Sequence, residues 1–175
     1  FSEPLQYMVF SSNGEMNIYN VSVSGTGLPT VIINTPKGAA VPPKTADWLE
    51  GTYIKIINPD GTVDYEGKED NIRGRGNSTW GYPKKPYALK LDSKASILGM
   101  PKHKRWVLLA NWMDRTMLRN RVAFTIAEKT CLAWTPRGEF VEVILNGKHV
   151  GNYYLCEQIK VDENRVNIHE MEDTD

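Results

Sequence analysis

Short apolar runs separated by turn residues dominate this sequence, and only one stretch repeats with the period of a long helix. The runs at residues 30–34, 52–58 and 106–110 are rich in β-branched or large apolar side chains, which is typical of strands. Strands and helices do not alternate along the chain, so a doubly wound parallel sheet is not expected. The pattern predicts an α+β fold with a mainly antiparallel sheet and one long helix.

Two hairpins are predicted from their turn residues. Ser12-Asn13-Gly14 separates the runs at 6–10 and 16–23, and Asn146-Gly147 separates those at 140–145 and 149–156. Asn-Gly pairs favour tight hairpin turns because both central residues take positive φ angles there. We expect the first hairpin, within residues 1–26, to be an extension or the end of a preceding domain. A second domain then covers residues 27–175.

The single helix is predicted over residues 115–130. Its apolar side chains recur at helical spacing at Leu118, Val122 and Ile126. Asp114 precedes them and suits the N-cap position, because its carboxylate can accept hydrogen bonds from free N–H groups of the first turn.

Composition narrows the function classes. Lysines plus arginines and aspartates plus glutamates both number 21, so the chain lacks the basic excess of a nucleic-acid binder. No apolar run approaches the ~18 residues of a membrane-spanning helix. Cys131 and Cys156 are too far apart for a zinc motif, and the histidines are scattered, so no metal site is predicted. The two cysteines suit either free thiols or, in an exported protein, one disulfide.

The most unusual segment runs from Arg73 to Trp80 and contains two glycines, two arginines, Asn77 and Ser78. Glycines allow a backbone to approach a ligand closely, and the guanidinium groups of Arg73 and Arg75 suit phosphate or carboxylate. The pattern is neither a P-loop nor a dinucleotide fingerprint. A tight turn with solvated arginines explains the same residues, and local chemistry leaves both interpretations open.

Three charged residues lie where kinase-like chemistry would use them. Lys90 stands within the strand predicted at 87–91, as does the lysine that binds nucleotide phosphates in kinases. Glu128, late in the helix, could pair with that lysine, and Glu157 follows an apolar strand where a kinase hinge would meet a base. Each also suits a plain surface position, on the solvated face of a strand, at a helix end, or beside Lys160 or Arg165.

A set of short motifs, in this order along residues 28–168, resembles the spore coat protein H (CotH) kinase family. The motifs are Ile72 to Trp80, Lys84 to Leu91, Leu98 to Lys102, Arg105 to Asn111, Asp114, Leu118 to Asn120, Trp134 to Arg137, Phe140 to Glu142, Leu145 to Gly147, Gly151 to Leu155, Glu157 to Ile159, and Asn164 to Val166.

The resemblance implies an atypical, exported or cell-surface bacterial protein kinase that transfers phosphate from ATP to protein serine with Mg²⁺ or Mn²⁺. It implies a kinase-like N-terminal lobe in which Lys90 contacts phosphates, and the segment with Arg73, Arg75, Asn77 and Ser78 lies near the nucleotide. Glu128 would pair with the lysine, and Glu157 would lie at the hinge. The catalytic and metal-binding aspartates are expected beyond residue 175, so this chain alone is expected to be an inactive nucleotide-binding half.

Two alternatives belong to other classes of protein. The chain could be a non-catalytic surface or adhesion module rich in strands. It could also bind carbohydrate through Trp80, Trp112 and Trp134, in which case at least two of these side chains should be exposed on one face.

Overall fold

The computed structural model describes residues 5–21 and 26–169, of which 48% lie in strands and 10% in helices. Residues 1–4 and 22–25 of the predicted hairpin extension, and residues 170–175, lie outside the described residues. The elements are β1 (Leu5–Phe10), β2 (Met16–Val21), β3 (Thr30–Asn34), a 3-10 helix (Pro36–Gly38), β4 (Leu49–Ile57), β5 (Val63–Gly74), a 3-10 helix (Ser78–Gly81), β6 (Tyr87–Ile97), β7 (Met100–Leu109), α1 (Arg119–Ala127), β8 (Gly138–Leu145) and β9 (Lys148–Glu157).

Seven strands close into a barrel in the order β3-β4-β5-β6-β7-β9-β8. Neighbouring strands are antiparallel except for β3 and β8, which pair in parallel and close the barrel, with Val31 opposite Val143. The predicted α+β fold, a mainly antiparallel sheet with one long helix resembling a kinase N-lobe, is therefore wrong. β3 and β8, the two ends of the strand order, pair with each other. The α-helix lies outside the closed barrel.

The barrel interior holds the hydrophobic core. Because side chains alternate across a strand, every second residue of β6 points inward, and Tyr87, Leu89 and Leu91 are buried there. Trp106 of β7 and Tyr153 of β9 are among the largest fully buried side chains. Closure gives all seven strands two neighbours, which removes exposed sheet edges.

Both predicted hairpins are confirmed within the described residues. β1 and β2 form a separate two-stranded sheet, and β8 and β9 join through Asn146 and Gly147. The φ angles of Asn146 and Gly147 are 50° and 75°, as the turn requires. β3 has the bounds of the apolar run at residues 30–34. β5 continues through residues 66–70, where four charged side chains interrupt any apolar pattern.

The helix is shorter than the predicted 115–130. It begins at Arg119 because Met117 has a φ of 61°, a conformation that cannot continue a right-handed helix. Asp114 still accepts a hydrogen bond from the Arg119 N–H at 2.9 Å, but across a loop and not as the adjoining cap residue. α1 packs on the barrel wall through Phe124, which contacts an outer apolar cluster with Val107, Tyr154 and Cys156.

Both cysteines are free thiols, Cys131 exposed and Cys156 buried. Among the described residues, no helix has the length and apolar character needed to cross a bilayer.

Candidate functional site

A row of small and apolar side chains crosses the outer wall of the barrel. In the register of the strands, Arg73 of β5 lies opposite Ala88, Ala88 opposite Val107, and Val107 opposite Cys156. Directly opposed residues of antiparallel strands present their side chains on the same face. The row therefore begins at a cation and continues as an apolar shelf.

Two neighbouring cavities lie over this row, and we call them together the cleft. The first, of about 340 Å³, is lined by Lys44, Arg73, Arg75, Asn77, Ala88 and Gln158, among others. The second, of about 260 Å³, is mostly apolar and is lined by Val107, Leu109, Phe124, Pro136 and Cys156. Arg75, Val107 and Gln158 line both cavities. The cleft thus combines a basic half with an apolar half.

Three arginines at or beside the cleft lack acidic partners. In the described part of the chain, no carboxylate forms an ion pair with Arg73, Arg75 or Arg105. The guanidinium carbons of Arg73 and Arg105 lie 4.4 and 4.7 Å from the centre of the Trp48 ring. Burial, and then the charge of Arg73, lower the pKa of Arg105 from its usual range. Uncompensated positive charge of this kind attracts anions.

The thiol of Cys156 in the apolar half of the cleft is uncharged. Burial raises the pKa of its thiol to about 12, so the group is neutral near pH 7. Tyr154 packs beside it, with its ring centre 5.0 Å from that of Phe140. The shelf is therefore suited to a flat, uncharged ring.

The glycine segment is held in place by its backbone and by packing. The N–H of Gly74 donates to the carbonyl of Pro42 at 2.7 Å, and the N–H of Arg75 donates to that of Pro86 at 3.2 Å. A Cβ at position 74 would lie 2.6 Å from the ring of Trp80. Gly74 therefore makes room for a tryptophan, and the free backbone donors expected at Gly74 and Arg75 are already used.

Gly76, Asn77 and Ser78 complete this segment. Gly76 has a φ of 81°, which favours glycine. The side-chain oxygen of Asn77 accepts a hydrogen bond from the ammonium group of Lys44, so these two residues support each other at the edge of the cleft. Ser78 is exposed and begins the second 3-10 helix.

Lys90 lies on the same outer face but lines a different cavity. That cavity, of about 310 Å³, also contains Glu50, Glu69 and Asp92. Ala88 and Lys90 are two residues apart on one strand, hence about 7 Å apart on the same face. An extended lysine side chain covers such a distance, so Lys90 is within reach of the cleft.

Glu128 and Glu157 lie apart from Lys90. Glu128 lines a cavity with Arg121 and Arg137 near the end of α1. The Glu157 side chain is fully buried, and the Arg137 guanidinium donates to both its carboxylate oxygens at 2.9 Å. The structure thus brings Arg73, Arg75 and Asn77 to the cleft, with Ser78 beside them, and Glu157 lines the apolar cavity of the same cleft. It does not bring Glu128 to Lys90.

A nucleotide fits the residues of the cleft, whose unpaired cations match phosphates and whose apolar shelf matches a base. For a divalent metal, residues 5–21 and 26–169 contain no cluster of three or more His, Cys, Asp or Glu side chains that could hold one. We therefore assign no metal ligand. Of the three tryptophans considered for carbohydrate binding, Trp112 is 48% exposed, whereas Trp80 packs against the barrel core and Trp134 is half-buried.

Several cleft residues escaped the sequence analysis. Alternation along the strand predicted at 87–91 could have placed Ala88 on the same face as Lys90. Lys44 and Trp48 come from a proline-rich loop, and no local pattern predicts that the loop folds over β5. Gln158 was part of a motif but received no role.

The fold and the cleft define a closed β-barrel domain with a basic and apolar ligand cleft on its outer wall. Residues 72–175 match the family described as CotH kinase protein, and the chain belongs to this family. This membership confirms the resemblance drawn from the motifs. No curated protein matches the chain.

Proposed function

We propose that this chain is the nucleotide-binding part of a CotH-type protein kinase. It binds ATP, accompanied by Mg²⁺ or Mn²⁺, and the kinase transfers the terminal phosphate to serine in a protein substrate. The observation that carries the proposal is the junction at Arg75, where the basic and apolar cavities meet.

The apolar half of the cleft receives the base. Val107, Leu109 and Phe124 form its wall, and the neutral thiol of Cys156 lies among them. Ala88, opposite Val107 in the row, lines the basic cavity and has no side chain beyond Cβ, which leaves space where the two cavities adjoin. Flat, mostly apolar pockets with a few polar groups are typical of cofactor sites.

The basic half receives the phosphates. Arg75 and Arg73 offer forked donors that match phosphate oxygens, and Lys44 adds an ammonium group at the opposite rim. Lys90 is assigned to the phosphate furthest from the base, because it lies along the strand beyond Ala88. The roles of Asn77 and Ser78 in shaping this end, and of Glu128 and Glu157, stay predictions.

The division of the chain is also part of the proposal. β1 and β2 form a sheet of their own, and a lone hairpin is only marginally stable in water. We therefore assign residues 1–26 to an extension or a neighbouring domain, and residues 27–175 to the kinase part. An exported or cell-surface location rests on the family resemblance alone.

Calorimetric titration with ATP and Mg²⁺, compared with titration by inorganic tripolyphosphate, tests the proposed site. Arg75→Met should weaken binding of both ligands about 10- to 100-fold, because it removes a charge-assisted contact to phosphate. Leu109→Trp should weaken binding of ATP alone, because Leu109 lines only the apolar cavity of the cleft and the larger side chain fills the space for the base.

Lys148→Met is the control, since it removes one positive charge at the opposite end of β9 and should leave both affinities unchanged. No ATP binding by the unmodified chain would contradict the proposal and favour a non-catalytic surface module. Binding that Arg75→Met and Leu109→Trp leave unaltered would place the nucleotide elsewhere.

A further inference from the structure

Arg165 returns to the barrel from the segment that follows β9. It is 3% exposed, and its Nη1 donates to the carbonyl of Arg105 at 2.8 Å and to the carbonyl of Gln158 at 2.6 Å. Arg105 lies in β7, and Gln158 directly follows the end of β9. One guanidinium therefore bridges the chain on both sides of the β7–β9 seam.

The position of this bridge is specific in the strand register. The last pair of the β7–β9 ladder is Trp106 with Glu157, so Arg105 and Gln158 are the next residues on each side. Backbone pairing ends there, and the guanidinium of Arg165 supplies the next connection. A guanidinium group suits this position because its N–H groups are held in one plane.

The other two nitrogens of the guanidinium, Nε and Nη2, are buried without a hydrogen bond to any described residue, and the group lies against a buried ring and a buried carboxylate. Its central carbon lies 5.1 Å from the centre of the Trp106 ring, and its Nε lies 3.6 Å from a carboxylate oxygen of Glu157. Arg137, which binds the same carboxylate, also donates to the carbonyl of Asn164 at 2.8 Å. The loop around Arg165 is thus fixed to the barrel from two sides.

Both bridged residues belong to the candidate site. Gln158 lines the two cavities of the cleft, and Arg105 packs on Trp48 beside Arg73. We propose that Arg165 is a positioning residue, which holds this rim of the cleft in the shape that binds the nucleotide. The inference rests on the proposed function and adds to it a residue that touches no ligand.

The test compares Arg165→Met and Arg165→Lys with Lys84→Met. Lys84 also donates to a backbone carbonyl, that of Asn152, but it lines neither cavity of the cleft. For each variant, the ATP dissociation constant is measured well below the melting temperature, together with hydrogen exchange of the peptide around Gln158. Thermal stability is recorded in parallel.

We expect Arg165→Met to raise the dissociation constant about 10-fold and to speed exchange around Gln158, because both carbonyl contacts are lost. Arg165→Lys, which keeps a donor and the charge, should recover part of both effects. Lys84→Met should lower stability without changing the dissociation constant.

Two results would overturn the inference in distinguishable ways. If Arg165→Met loses stability but binds ATP as tightly as the unmodified chain, Arg165 is only structural and the proposed function still stands. If the unmodified chain fails to bind ATP, the proposed function fails and the inference with it. Should Arg165→Met not fold, the dissociation constant and exchange of Arg165→Lys decide, and unmodified values for both reject the inference.

Discussion

The guanidinium carbon of Arg73 lies 4.4 Å from the centre of the Trp48 ring, so a loop tryptophan covers the cationic end of the cleft. Arg105 packs on the same ring at 4.7 Å. Two like charges are held near each other here, and the negative face of an indole ring reduces the cost of that arrangement. Trp48 thereby orients Arg73 towards the cavity that Arg73 lines.

Replacing Trp48 should therefore weaken the proposed nucleotide site. Trp48→Ala is expected to raise the ATP dissociation constant about 3- to 10-fold, because Arg73 loses its fixed orientation. Trp48→Phe, which keeps an aromatic face, should have a smaller effect. Calorimetry with ATP and Mg²⁺ measures both.

Trp112→Ala is the control for this prediction, since Trp112 is exposed and lies outside the cleft. It should bind ATP as the unmodified chain does. An unchanged dissociation constant for a folded Trp48→Ala variant would show that Arg73 needs no support from the indole ring.

Gly74→Ala should destabilise the barrel. The added Cβ would lie 2.6 Å from the ring of Trp80, which packs against the core and is not free to move outward without losing that contact. Overpacking of this kind costs about 1–3 kcal/mol of unfolding free energy. Urea denaturation measures the difference.

Gly81→Ala provides the matched control, because a Cβ at position 81 meets nothing within 4 Å. Its unfolding free energy should stay close to that of the unmodified chain. Equal stability of the two alanine variants would mean that Trp80 shifts at little cost.

Protonation of His103 should make stability depend on pH. Burial, and next the charge of Arg165, lower the pKa of this histidine, although Asp162 acts in the opposite direction. Its Nδ1 accepts a hydrogen bond from the Arg105 N–H at 2.8 Å, which a protonated Nδ1 cannot do. Lys94, which pairs with Asp162 at 3.1 Å, adds a further positive charge nearby.

The direction in which stability changes with pH follows from the lowered pKa of His103. The folded state binds the proton less tightly than the unfolded state, whose histidine pKa is about 6.5. The stabilising contribution of neutral His103 is therefore complete above about pH 6.5 and is lost as the pH falls through the lower pKa of the folded state. Urea denaturation at several pH values across this window measures it.

His103→Asn tests the assignment, because an asparagine oxygen can replace Nδ1 as acceptor but does not titrate. Its unfolding free energy should fall less than that of the unmodified chain below about pH 6.5. Parallel curves for the two proteins would assign the pH dependence to other groups.

The sequence predicted those parts of the fold that depend on neighbours along the chain. The turn at Asn146 and Gly147 was correct because its two positive φ angles are a local preference. The strand over Thr30–Asn34 was correct because its β-branched run is short and bounded by turn residues. The start of the helix was wrong because one residue, Met117, adopts a left-handed conformation within a sequence that would otherwise suit a helix.

Most of the predicted residues that line the cleft are close in sequence, and Glu157, which lines its apolar cavity, is the exception. Arg73, Arg75 and Asn77 do meet at the cleft, since they belong to one segment. Lys44 and Gln158 reach the same cavity from distant loops and strands. Glu128 and Lys90 suit a kinase pair by type and order, but α1 lies on a part of the wall that keeps them apart.

The sequence by itself determined that this chain forms strands with one helix, and its ordered motifs determined the family. Only the tertiary structure decided that the sheet closes, through the pairing of β3 with β8, in which Thr30 lies opposite Glu142. It also decided that Arg165 closes the seam beside the cleft. The physical reason is that alternating side chains specify which face of a strand is buried, whereas the choice of a distant partner depends on how the whole core packs.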